Sequence, residues 1–215
     1  MAQTVTPSEN TVTAGQIGKL QELLAARLRK SELPSAAVQK ALEDNGDAIA
    51  DEMVAAVRKR AEATIFLAPR GRSTITVKER HDPDAFYRTR EGLYVYDNFR
   101  SRVVSKARSI KAEAFTVESA ELMRDLTDEE IEGSLPKNHL FGETEVCAII
   151  AGLIAKQASG EEGTLLNNGY ANLFYTGSCV VGASWRSGDR EWGVGTWERG
   201  DFGWLAGSQV FSPVN

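Results

Sequence analysis

Cysteine and histidine are scarce in this chain of 215 residues: two of each, Cys147, Cys179, His81 and His139. Without a CxxC pair, an HExxH or an Asp-rich loop, the usual zinc and calcium sites have no ligands to draw on, and no disulfide framework can be built. Both cysteines lie in apolar patterns and read as reduced core residues. A Cys-His nucleophile is left depending on residues far apart in sequence. Long apolar runs are missing too, so nothing approaches the roughly 20 residues of a membrane span. The polar stretch Met1–Thr13 has no apolar segment of the signal-peptide kind. A cytoplasmic protein without a membrane partner is the expectation. There is also no phosphate loop, and Gly193-Val-Gly195 lacks the helix that a dinucleotide fingerprint requires.

What the chain does have is sorted charge. The formal net charge is −5, yet residues 58–111 carry 14 Lys/Arg against 6 Asp/Glu, while residues 112–215 carry 6 against 16. Such asymmetry is a statement about long-range attraction. It steers a polyanion to the centre of the chain, or it holds the chain's own acidic tail there. Arg100, Arg102, Lys106 and Arg108 fall on one broad side of an expected helix, with Arg88 and Arg90 just before it. These six cations are the candidate nucleic-acid contacts, and Tyr87, Tyr94 and Tyr96 offer stacking faces for a single strand. That reading requires the six cations to form one exposed patch, and pairing of Arg100 and Arg102 with tail carboxylates would sink it. The acidic balance, with a pI near 5.3, argues against a dedicated duplex binder.

Periodicity predicts an α+β fold: a helical N-terminal lobe, a mixed basic centre and a C-terminal antiparallel β-meander packed on a helix. A flexible arm is expected over 1–12, the lobe over 13–64, and an α+β domain over 65–215 whose sheet occupies 165–215. In the lobe, Ile17, Leu20, Leu24 and Leu28 recur at three and four, with Leu23 widening the stripe. Ser35 starts a second helix that stops at Asn45-Gly46, and Asp47 starts a third with Ile49, Met53, Val54 and Val57. Ser73–Val77 and Leu93–Tyr96 read as strands, and Asp82-Pro83 as a helix start. Asp97 opens a helix whose apolar face runs from Phe99 to Ile110. Thr127-Asp-Glu-Glu130 is a capping box, and Val146 to Ile154 mark an amphipathic helix over 144–158. Strands follow near 171–175, 180–185, 191–197 and 209–211.

Gly92-Leu-Tyr-Val-Tyr-Asp-Asn-Phe99, Gly160-Glu-Glu-Gly-Thr-Leu-Leu-Asn-Asn-Gly-Tyr-Ala-Asn-Leu-Phe-Tyr175 and the closing Val210-Phe-Ser212 resemble a group of uncharacterised bacterial proteins. The resemblance covers roughly the C-terminal 60% of the chain. It implies a bacterial cytoplasmic origin and brings no activity, substrate or cofactor with it.

The tryptophans Trp185, Trp192, Trp197 and Trp204 all fall in the last quarter. They line an aromatic groove for a peptide or carbohydrate, or they seal a small sheet. The preferred function is a non-catalytic binding or interaction protein that contacts nucleic acid or another protein. A small hydrolase or transferase using Glu161, Glu162 and Asp201 is the enzymatic alternative. Self-association through the leucine-rich first helix, giving a homo-oligomer, is the third.

Overall fold

The structure is a computed structural model that describes residues 12–62, 65–78, 80–200 and 203–214. The expected N-terminal arm, apart from Val12, and Asp201 lie outside the described residues. The chain divides into two compact units, Met1–Glu62 and Ala63–Asn215.

The first unit is helical. Helix α1 (Ala14–Lys30) opens with a capping box in which Thr13 Oγ1 accepts from the Gln16 amide and the Gln16 side chain accepts from the Thr13 amide. Arg27, Arg29 and Lys30 in its last turn complement the negative end of the helix dipole. The second and third expected helices are one element, α2 (Ser35–Glu62), bent at Asn45 where φ is −140°. Asn45-Gly46 is weak enough as helix to bend it, yet no proline follows to end it.

The second unit is α+β. Seven strands form one mixed sheet in the order β1-β3-β9-β5-β6-β7-β2. They are β1 (Leu67–Val77), β2 (Leu93–Val95), β3 (Glu113–Leu122), β5 (Asn172–Tyr175), β6 (Val180–Arg186), β7 (Glu191–Trp197) and β9 (Gln209–Pro213). A two-stranded ribbon, β4 (Leu126–Thr127) with β8 (Gly203–Trp204), is separate. Strands β5, β6 and β7 are the expected antiparallel meander. Strand β9, however, crosses back to lie parallel to β5 and antiparallel to β3, and β2 runs parallel to β7. The C-terminal strands are therefore the middle of a larger sheet.

Alternation along the strands divides the apolar side chains between two cores. On one face α6 (Glu143–Lys156), α3 (Pro83–Phe86) and α4 (Asp97–Arg102) cover Ile75, Val117, Phe174, Val181, Trp192 and Phe211. Two of the polar groups buried there are paired: Tyr87 Oη donates to Cys147 O at 2.6 Å and Trp192 Nε1 to Gln157 O at 2.7 Å. On the other face, α5 (Asp128–Ser134) and the β4–β8 ribbon cover Leu122, Leu173, Tyr175, Val180 and Val210. Helix α4 stops well short of Ile110. Val103 caps its end, a 3-10 turn spans Val104–Lys106, and Ile110 forms a bridge with His81. Two adjacent β-branched residues weaken helix at that point, and the bridge supplies other partners for the backbone.

Each sheet edge is blocked. Strand β1 carries Pro69, a register shift between Pro69 and Gly71, and Arg70 and Arg72 paired with Glu121 and Glu118. Beside β2, Arg90 and Leu93 exchange backbone hydrogen bonds, and the Thr89 hydroxyl serves both the amide and the carbonyl of Val95. Among the described residues no helix is long and apolar enough to cross a membrane.

Candidate functional site

The face carrying the second core is covered by α5 and the ribbon only over part of its width. At β6, β7 and β2 its cover comes from the sheet's own side chains. The alternation that buries Leu93 and Val95 turns Tyr94 outward, and Tyr96 follows on the same side. These rings are 37% and 42% exposed and meet edge to face with centroids 4.8 Å apart. The Arg186 guanidinium lies 5.3 Å over the Tyr94 ring, in cation–π geometry.

Glycines make the floor beneath them. A Cβ built on Gly182 would lie 2.6 Å from the Trp197 ring, and one on Gly195 would lie 3.0 Å from the Tyr96 ring. Only residues without a side chain let these rings rest on the strand backbone. Tyr96, Trp197, Arg186 and Tyr94 thus form a flat aromatic surface at the β2 end of the sheet.

The six basic candidates divide into paired and unpaired cations. Arg102 is paired with Glu198, a carboxylate of the acidic tail, and its guanidinium holds the Glu198 carboxyl below the ordinary value. Lys106 reaches Glu143 at 3.9 Å. Arg88, Arg90, Arg100 and Arg108 have no carboxylate partner among the described residues. Arg88 donates to Asp84 O, Arg90 donates to Phe86 O and lies over the Phe86 ring, and Arg100 Nη2 donates to Thr89 Oγ1 at 3.2 Å. Arg100 Nε is buried without a hydrogen-bond partner. Arg88 and Arg90 thus fold back onto α3, whose Phe86 packs on the first core, and of the three Arg100 alone reaches Thr89 at the β2 edge. Arg108 is exposed, its amide bonded to Thr144 Oγ1 at 3.0 Å. Tyr87 is fully buried in the first core and offers no stacking face.

The four tryptophans do not line one groove. Trp185 and Trp192 face each other across β6 and β7 in the first core, with centroids 5.5 Å apart. Trp197 and Trp204 pair on the opposite face, 5.4 Å apart. Strand alternation sends residue 192 and residue 197 to different sides, so a single groove is geometrically closed to them.

The catalytic candidates are scattered. Cys147 sits within α6 with its thiol pushed up to about 12 by burial, which removes the thiolate a nucleophile needs. Cys179 is buried in the turn before β6 against the Thr176 hydroxyl. Glu161 turns back onto the Ser159 amide at 2.9 Å in the loop after α6. Among the described residues no three His, Cys, Asp or Glu side chains cluster as a metal site would require.

Sequence reasoning passed over the most connected polar cluster. Asp128, 2% exposed at the start of α5, accepts from Tyr175 Oη at 2.6 Å, Trp204 Nε1 at 2.7 Å and the Gly200 amide at 2.7 Å. Burial, then the Asp128 carboxylate, pushes the Tyr175 hydroxyl far above the ordinary phenol range. One turn on, Glu132 holds Arg199 and sits 3.2 Å from His139 Nε2, while His139 Nδ1 faces Pro136 O at 2.8 Å. Every group in this knot is occupied by another. General acid–base chemistry needs a group directed at substrate, and here the arrangement instead locks α5, β8 and the loop before α6 onto the sheet. Its sequence signal was faint: an Asp beside a capping Thr reads as helix-end electrostatics.

No protein-family model matches the chain, and neither the curated proteins nor the solved structures contain a match to it.

Proposed function

We propose that the protein is a non-catalytic binding protein for single-stranded nucleic acid, with Tyr94 and Tyr96 as stacking faces and Arg88, Arg90 and Arg100 as phosphate contacts. One observation carries the reading: two exposed tyrosines stand side by side on a sheet face, and the segments before and after them in the chain supply three arginines that have no carboxylate partner among the described residues. Bases stack on such rings with little sequence preference, each worth roughly 1–3 kcal/mol by alanine substitution. Three neutralised phosphates give a log affinity that falls with log salt at a slope of about −2 for a single strand. Because Arg102 and Lys106 are compensated, the site is smaller than charge counting implies.

Two unpaired buried cysteines and the C-terminal resemblance to bacterial proteins support a reducing, cytoplasmic setting.

Fluorescence anisotropy with labelled single- and double-stranded oligonucleotides, at low and physiological salt, tests the proposal. Single-strand binding that weakens with salt, and that is lost in both Tyr94→Ala/Tyr96→Ala and Arg88→Glu/Arg100→Glu, is the expected result. An absence of binding at low salt, or binding indifferent to both double variants, overturns it.

A further inference from the structure

Beyond the C-terminal end of α5, the second face of the sheet is the floor of a cavity of about 500 Å³, within the range of roughly 300–1,000 Å³ typical of small-molecule sites. Two rungs across β1, β3 and β9 build that floor. One rung is apolar, Pro69 beside Ala120 beside Val210; the next is polar, Arg72 beside Glu118 beside Ser212. Simple alternation would send residues 69 and 72 to opposite faces, but the register shift between Pro69 and Gly71 pairs them with Ala120 and Glu118, which are two apart on β3. The irregularity in β1 thus brings both to the cavity. Leu135 and Pro136, at the end of α5, form the wall above.

Of the polar side chains that line the cavity, all but one are engaged. Arg72 and Glu118 form an ion pair, so the polar rung carries no net charge. Ser134 Oγ donates to Glu130 O at 2.7 Å, and Ser119 Oγ to Gly71 O at 3.4 Å. Ser212 differs. It shares the cavity side of β9 with Val210, while Phe211 between them lies in the first core. The residue is only 5% exposed, and its hydroxyl has no hydrogen-bond partner among the described residues. A hydroxyl can donate once and accept twice, and at that depth leaving it unbonded costs free energy. Ala or Val at this position would simply continue the apolar floor; a hydroxyl suits a polar group inside the cavity.

We propose that this cavity binds an uncharged, largely apolar small molecule carrying one hydroxyl or carbonyl group, with its body on the Pro69–Ala120–Val210 rung and its polar group bonded to Ser212. A ligand carboxylate would have to take Arg72 from Glu118 and would then face that carboxylate; a ligand amine would strand Arg72 in the same way. A peptide would bring a row of backbone donors and acceptors to a site with a single free hydroxyl. The cavity lies at the β1 end of the sheet and Tyr94 and Tyr96 at the β2 end, so the proposal does not depend on nucleic-acid binding.

Two-dimensional proton–nitrogen NMR of the full chain, titrated with n-octanol and in parallel with octanoate, is the test. n-Octanol should give saturable shifts at the amides of Ala120, Leu135, Val210 and Ser212, and octanoate should bind at least about tenfold more weakly. Ser212→Ala should raise the n-octanol dissociation constant about three- to tenfold, the effect of losing one hydrogen bond. Ala120→Phe, which fills the floor, should abolish the shifts. The dispersion of each variant's own spectrum reports that its sheet unit is folded, and Ser212→Ala removes no bond that the fold uses. No saturable binding to the wild type, shifts confined to the exposed leucines of α1 and α2, equal affinity for octanoate, or n-octanol binding indifferent to Ser212→Ala overturns the proposal.

Discussion

Helix α1 has 17 residues and buries none of them; α6 has 14 and buries eight. Both are well-formed helices with apolar residues at helical spacing, so propensity and period do not separate them. Their other faces do. The face of α1 opposite its leucines carries Lys19, Glu22 and Arg29, whereas α6 is apolar nearly all round, since Val146, Cys147, Ala148, Ile149 and Ile150 are buried in succession. A helix apolar all round declares that it lies inside a core. A one-sided helix declares only that it has a side to cover. The same contrast divides the molecule: the sheet unit is held by internal saturation, and the helical unit leaves its apolar stripe exposed.

The comparison breaks most visibly at Asp128. Asp128→Ala strands the Tyr175 hydroxyl, the Trp204 indole N–H and the Gly200 amide at once, and should cost about 3–5 kcal/mol in urea unfolding followed by Trp fluorescence. A loss below about 1 kcal/mol would mean that the knot is not what holds α5 to the sheet. Next is Gly182→Ala. The added Cβ pushes against the Trp197 ring and should cost about 1–3 kcal/mol with a changed Trp emission, while Ala at Gly188, open on all sides, should leave that emission alone.

A smaller effect follows from pH. Burial, outweighing the attraction of Asp82, lowers the pKa of His81 below its ordinary 6.5. The unfolded chain therefore takes up this proton first as pH falls, so stability is full above about pH 6.5 and declines below it. His81→Gln should flatten that part of the profile of urea midpoint against pH. The smallest effect is expected at Leu42→Ala, which should move the Trp-reported unfolding of the sheet unit by less than about 0.5 kcal/mol. A large shift there would mean that the two units do not unfold independently.

Local signals carried the elements that local chemistry decides. The Thr127 capping box, the helix over 143–156 and the three hairpin strands from Asn172 to Trp197 are legible because caps, helical period and turn residues act within a few positions. Strand β3 is hard to read because only its inward residues, among them Val117 and Leu122, are apolar, and both its partners lie far away in sequence. The parallel pairing of β9 with β5 is equally non-local. For the site, the arginines and tyrosines were visible as residue types, but which cations are spent on carboxylates was not. Arg102 and Glu198 are 96 positions apart. Arg186 escaped notice because its stacking on Tyr94 depends on Gly193 leaving room for its side chain. The alternation of Gly193 and Gly195 with buried neighbours was the available hint, since two bare positions on one strand face leave room for something to lie flat.

The blocked edges of the sheet have a consequence for crowded conditions. A seven-stranded sheet that is not closed into a barrel offers two rows of backbone groups to any passing strand, and such rows seed amyloid-like growth. On one side the proline, the register shift and the two arginine–glutamate pairs spoil the template; on the other, Thr89 and Arg90 have already used it. The sheet unit can therefore be held at high local concentration without polymerising through its strands.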